Sequence, residues 1–391
     1  MSGFIKPGAA ISKLGSAASP AGGGGAMRGD VRLFAEDPGA GWLAEDAFIP
    51  YNKEYATRLV PSIANFPVDL NNGSGSVSGA EYINGALVTV TNSAPSIRRS
   101  LDEGVSWETP AIPSGHVYND VLRVGNRLIA VGNSRAVAIS EDNGANWSAV
   151  TDITGGLGTD ILFALATDGG NNVVIGANNS RVYISTNGGL SFTAVSLATP
   201  LGSGSGSFSF VAYASGKFFA QAINIAQGLM QSANMTVWTL CSVGNLTGRR
   251  IYGIFDTPDK GLVAFLGNTG NSNPALMGSS DGGLNFGTTL SLGNIATHFP
   301  SGTGNSYPSG IAYENGLIIV AGSSKLAWSY DWVNWTSVGG LMSGMNVRYV
   351  KFLNNYVLSD DWKATALMSG FNIPVGQRHA SKLSWKAYTK L

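Results

Sequence analysis

A short pattern, Ser-x-Asp/Asn-x-Gly-x-x-Trp/Phe, returns along this chain at near-regular intervals, and it restricts the possible folds more than any total of residues does. Full copies place Ser100, Asp102, Gly104 and Trp107, then Ser140, Asp142, Gly144 and Trp147, then Ser185, Asn187, Gly189 and Phe192, and last Ser279, Asp281, Gly283 and Phe286 in register. Two copies are one residue shorter and lack the glycine; they carry Ser232, Asn234 and Trp238, and Ser329, Asp331 and Trp335. The acid or amide positions 102, 142, 187, 234, 281 and 331 lie 40 to 50 residues apart. A second series precedes the first: turn-plus-apolar runs such as "NGALVTV", "GNRLIAV" and "NGLIIVA" begin near residues 86, 127, 172, 217, 262, 317 and 356. Seven units follow from that count, with residues from Ser369 onward read as a decayed seventh box.

Each unit reads as strand, tight turn, apolar strand, Asn-containing turn, strand, box and strand. Four short antiparallel strands joined by hairpins and repeated at this period mark a propeller blade. The expected fold is all-β, a seven-bladed β-propeller of four-stranded antiparallel blades, with six blades as the alternative. Residues 1–70 do not share the repeat and read as an irregular, flexible anchoring arm; 71–380 form the propeller and 381–391 a C-terminal strand or tail. Closure of the ring falls to a strand near Ala56–Ala64 or to the C-terminal segment "SKLSWKAYTKL".

Within the box, glycine suits a turn residue with positive φ, and the Asp or Asn two positions earlier can accept hydrogen bonds from the turn's own amides. The aromatic residue opens the next strand, where it can cover the hairpin. These residues are therefore expected to be structural. The motifs resemble the Asp-box, or bacterial neuraminidase repeat, of sialidase-like β-propellers. That resemblance implies boxes between the third and fourth strands of each blade, away from the axial pocket.

The same resemblance raises glycoside hydrolysis, since sialidases use three arginines, a Tyr–Glu pair and an Asp acid, with the first arginine in Arg-Ile-Pro. No Arg-Ile-Pro occurs here; "RLVP" at 58–61 is one residue longer. Other glycosidases need two carboxylates about 5 to 10 Å apart, and Glu81, Asp120 and Asp160 fall near the starts of innermost strands. The balance of the sequence favours a protein without catalytic residues. Ligand contacts are expected from the loops between blades, rich in Gly, Ser, Thr and aromatic residues: His116, Tyr118, Asp120, Asp160, Phe208, Arg250, Tyr252, His298, Tyr307 and Arg348.

Composition narrows the partners. Charged residues make up 12% and the formal net charge is zero, so nothing draws the chain to nucleic acid. The uncharged stretch 182–216 is too polar to insert in a membrane. Cys241 is the only cysteine and the three histidines are far apart in sequence, so neither a disulfide, a metal site nor a cofactor is expected. The N-terminal residues lack the apolar core of a secretory signal. A low-charge Gly/Ser/Thr/Asn-rich β-protein with a flexible arm looks like a virion component of a tailed bacteriophage. That likeness implies a structural, multi-copy attachment protein made in the host cytoplasm. Its arm would join other virion or tail proteins and its loop face a host glycan or protein; a bacterial-surface or extracellular setting is the alternative. A sialidase-like hydrolase and a ligand-free structural propeller are the competing functions.

Overall fold

The computed structural model describes residues 77–91, 96–102, 106–113, 115–201, 206–223, 228–244, 246, 249–268, 274–299, 308–314, 316–322, 325–338 and 349–353, together with the backbone of strands at 31–34, 42–44, 64–68, 356–360, 365–369 and 386–390. The chain divides into two compact units, Met1–Ala64 with Ser369–Leu391, and Asn65–Met368.

The larger unit is an all-β propeller with antiparallel blades. Six blades are each built from one consecutive stretch of chain. Their innermost strands are Val77–Ile83, Tyr118–Val124, Leu162–Thr167, Phe208–Ala214, Arg249–Thr257 and Pro308–Glu314. Second strands are Ala86–Thr91, Arg127–Gly132, Val173–Ala177, Lys217–Ala222, Gly261–Asn268 and Leu317–Gly322. Neighbouring innermost strands lie side by side from the first blade to the sixth. Six is the count carried as the alternative reading of the sequence. The seventh sequence unit does not complete a sheet from its own stretch. Its strands Tyr349–Leu353, Tyr356–Asp360 and Thr365–Ser369 join Ala64–Val68, from the other end of the chain, in the order Ala64–Val68, Thr365–Ser369, Tyr356–Asp360, Tyr349–Leu353. Tyr349–Leu353 runs beside the innermost strands of both the sixth and the first blade.

Blades also depart from the expected four strands. Among the described residues the first has three, the backbone of Glu108 bridging to Arg99 where a fourth would stand. The third has five, because Ile153–Thr154, on the way in from the second blade, pairs in parallel with Phe192–Ser196. Ser242–Val243 pairs in the same sense with Asn285–Phe286, and Ala111 with Asn146. The chain thus lays each of these connections along the outer edge of the blade it is about to build. In the smaller unit, Lys386–Lys390 lies between Val31–Phe34 and Trp42–Ala44, antiparallel to both, so the C-terminal strand pairs here and not in the ring. Residues 56–63, the rest of the other expected closing strand, and the decayed box after Ser369 lie outside the described residues.

The core sits between blades. One cluster joins Val88 and Val90 of the first blade to Leu128, Ala130 and Trp147 of the second, and four more link each later pair up to the sixth. A second strand has a blade on either side, so it is apolar on both faces; Ala86–Thr91, Val173–Ala177 and Leu317–Gly322 are buried at every position. Every innermost strand in the six blades carries a register shift near its start, directly after the first residue in five of them, as between Val77 and Gly79 or Tyr118 and Asp120, and after the third in the fifth blade, between Ile251 and Gly253. Such bulges bend a strand and raise its twist.

Candidate functional site

The repeated carboxylates hold their own hairpins. In the second blade Ser140 Oγ donates to Asp142 Oδ1 at 2.8 Å, which also accepts the Asn146 amide at 2.9 Å, while the Asn146 side chain reaches Oδ2 at 2.8 Å. The Gly144 amide donates to Ser140 Oγ at 2.9 Å, and Trp147 Nε1 closes the turn on Gly144 O at 3.1 Å. Asn187, Asn234, Asp281 and Asp331 accept equivalent bonds from Ser191, Val237, Asn285 and Asn334 amides. Asp102 does so from Ser106, although Gly104 lies outside the described residues. All six lie at the end of a third strand. Donated hydrogen bonds hold the carboxyls of Asp102, Asp142, Asp281 and Asp331 down at about 2.

The glycine in these turns answers to a neighbour as well as to φ. Gly144, Gly189 and Gly283 have φ of 83°, 86° and 93°. A Cβ on them would stand 2.6 Å from Val88 Cγ2, 2.2 Å from Ile129 Cδ1 and 2.6 Å from Phe219 Cζ, all on the second strand of the preceding blade. In the shortened turns one left-handed residue remains, Met235 at 65° and Trp332 at 66°, and both are buried. Met235 packs in the cluster of Val174, and Trp332 in that of Val263, the matching positions of the preceding blades. Trp332 further stacks on Tyr313 with centroids 5.9 Å apart.

Of the expected contact residues, Asp160 has the fullest surroundings. It is completely buried; Oδ1 accepts Asn179 Nδ2 at 2.7 Å, and Oδ2 accepts Tyr183 Oη at 2.6 Å and the Leu157 amide at 3.0 Å. Arg181 approaches both oxygens, at 3.3 and 3.4 Å. Burial works against its charge, but the Tyr183, Leu157 and Asn179 bonds and the Arg181 guanidinium outweigh it and hold the carboxyl below its ordinary value. Its backbone oxygen accepts the Arg135 amide at 2.6 Å. Asp160 is thus a keystone between the 2–3 turns of two blades. Tyr183, Arg181 and Arg135 were not singled out in the sequence, for they reach Asp160 only through strand register.

Tyr118 and Phe208 are fully buried at the first positions of their strands and belong to core clusters, which takes them out of the ligand-contacting set. Tyr252 is the bulge residue of the fifth blade, half-buried against the core between fifth and sixth blades. Arg250 beside it is exposed. His298 ends the short helix Ile295–His298 with Nε2 at 3.0 Å from Trp335 O. His116 is half-buried, and its Nδ1 has no hydrogen-bond partner among the described residues. Tyr307 and Arg348 lie outside the described residues. Among the described residues, Asp160 is bonded within the second and third blades and His298 to the sixth.

Asp120 joins a different group, near the axis. Its Oδ1 accepts the Val121 amide at 2.8 Å and its Oδ2 the Leu165 amide of the next blade at 3.0 Å. Glu81 on the first blade is ion-paired with Lys351. Burial lifts the Asp120 carboxyl to about 7, with Lys351 and the two amides pulling against the rise and Glu81 adding to it. Gly79 faces it so closely that a Cβ there would lie 2.6 Å from Asp120 Oδ1. Among the described residues no group of three or more His, Cys, Asp or Glu could hold a metal ion, and no helix is long and apolar enough to cross a membrane.

No protein-family model and no curated protein sequence matches the chain. Solved propellers are similar in shape. YCF48 bound to D1 peptide is 18% identical with a TM-score of 0.56, covering 78% of this chain and 96% of that one. YCF48 from Cyanidioschyzon merolae is 16% identical at a TM-score of 0.57, covering 77% and 97%. Virginiamycin B lyase from Staphylococcus aureus is 11% identical at a TM-score of 0.61, covering 79% and 99%. Likeness at these identities establishes the propeller fold and carries no activity with it.

Proposed function

We propose that this chain is a non-enzymatic attachment protein whose propeller recognises a host-surface glycan or protein through the loops between its blades. The unit gathered from both chain ends joins the propeller to a larger particle, a phage tail or virion, in several copies. The ring is read as seven-bladed, the sheet completed by Ala64–Val68 serving as the seventh blade; the position of Tyr349–Leu353 beside both the sixth and the first blade supports that count. The recurrent turns are read as Asp-boxes of the sialidase-like kind.

One observation carries the choice of attachment over hydrolysis: the carboxylates of the boxes, Asp160 and Glu81 are each engaged by donors of the chain itself. Box acids take the amides of their own turns, Asp160 is buried under four donors, and Glu81 is tied to Lys351. A glycosidase keeps two carboxyl groups open to one sugar. Assay against a panel of labelled glycosides tests this reading. No turnover is expected, and turnover abolished by Asp120→Asn would replace it with a hydrolase. For the anchor, a chain lacking residues 1–63 and 370–391 is expected to stop co-sedimenting with its particle.

A further inference from the structure

Two adjacent turns on the connection face share a conformation that L residues rarely adopt. In the second blade Ser134 and Arg135 have φ of 55° and 54°; in the third, Asn179 and Ser180 have φ of 57° and 54°. Neither pair includes a glycine, the residue that takes this backbone freely. Both turns are fixed to Asp160, the first through the Arg135 amide and the second through the Asn179 side chain. Two guanidiniums are thereby brought to one loop. Arg135 Nη1 donates to Gly155 O at 3.0 Å, and Arg181 Nη1 stands 3.3 Å from Asp160. Gly156 of that loop lies against the same buried acid, since a Cβ there would lie 1.9 Å from Tyr183 Oη and 3.1 Å from Asp160 Oδ2.

Charge does not balance here. Asp160 offsets one guanidinium, Tyr183 is pushed above its ordinary value by burial and by Asp160 and stays neutral, and no carboxylate pairs with Arg135 among the described residues. A guanidinium has five N–H donors, and both arginine side chains remain partly open to solvent. Around them the loop 154–159 is exposed, with glycines baring its backbone and Leu157 projecting at 48% exposure. No exposed aromatic ring stands in this loop for a sugar to stack on.

We propose that Arg135 and Arg181 capture the terminal carboxylate of a peptide chain whose last apolar side chain rests on Leu157. The inference rests on the attachment reading and names its partner as a protein. Carboxylates take paired N–H donors from guanidinium in charge-assisted bonds, and the bared glycine backbone offers the hydrogen bonds that an extended peptide uses.

The test uses the full chain and a pool of random octapeptides, half with a free C-terminal carboxylate and half amidated. Wild-type protein is expected to retain the free acids over the amides by about tenfold, with apolar final residues enriched. Arg135→Gln, whose side-chain amide can still donate to Gly155 O in place of the guanidinium, is expected to abolish that preference while the melting temperature holds. Leu157→Ser is expected to keep the acid preference and lose the apolar one. Equal retention of acids and amides, or an unchanged preference in Arg135→Gln, overturns the proposal. So does displacement of bound peptide by a free carboxylated sugar such as N-acetylneuraminic acid. Binding of the whole protein to host cells is measured alongside. Equal cell binding by wild type and Arg135→Gln overturns this site while leaving the attachment reading in place, whereas no cell binding by wild type removes that reading itself.

Discussion

The glycine-bearing turns of the second, third and fifth blades and the shortened turns of the fourth and sixth solve one packing problem in opposite ways. In the first kind, Gly144, Gly189 and Gly283 leave a recess that Val88, Ile129 and Phe219 of the preceding blade fill. In the second, Met235 and Trp332 supply the filling themselves, packing with Val174 and Val263. The left-handed residue of the turn is therefore the contact between blades, and its size is set with the residue across from it. A turn that is self-contained in sequence is half of an interface.

Five substitutions test how far this holds. The greatest loss is expected from Trp332→Gly, which imitates the other kind of turn without the partner to fill it. Removing a buried tryptophan costs about 3 to 5 kcal/mol, less about 1 kcal/mol for relief of the left-handed backbone, and urea unfolding should show the net. Next comes Gly189→Ala, which forces a methyl to 2.2 Å from Ile129 Cδ1 at a φ of 86°; about 2 kcal/mol is expected. Adding Ile129→Val deletes that atom, and a double-mutant cycle should recover about 1 kcal/mol of coupling. Strict additivity would mean that the two residues do not oppose each other.

Trp238→Phe is milder. It removes the 2.6 Å bond from Nε1 to Met235 O but leaves a ring such as Phe192 and Phe286 provide, so about 1 kcal/mol is expected. Smallest of all is Asp142→Asn, because Asn187 and Asn234 already hold equivalent turns. Its mark is pH dependence. A carboxyl at about 2 in the folded chain and 3.8 otherwise contributes stability that is fully present above about pH 4 and is lost as pH falls through 2. Thermal melts of the variant should show a shallower decline over that window than wild type, while the two agree at neutral pH.

What could be read from the sequence was what the chain decides locally. Ser140, Asp142 and Gly144 bond within five residues of one another, so their spacing alone announces the turn. Burial along second strands was legible from runs such as "ALVTVT" for the same reason. Register across strands was not. Tyr183 meets Asp160 from 23 residues away, and nothing near either residue marks the pairing. No single residue type marks the bulges, for Ser78, Ser209 and Ser309 share the extra position with Asn119, Phe163 and Tyr252, because a bulge needs no particular side chain. Nor did the missing glycine disclose that Met235 and Trp332 would take its backbone conformation. Tyr118 and Phe208 misled as contact residues because both rings pack into the cores between blades.

The sheet that holds Lys386–Lys390 has a mechanical meaning. Val31 sits opposite Thr389 and Phe34 opposite Lys386, so the chain enters one strand and leaves the other at the same end. Tension applied through the two termini would load those hydrogen bonds one after another, as a zip opens, and would not meet them all together in shear. Opening bond by bond in this way asks less force of a sheet than shearing the same bonds at once.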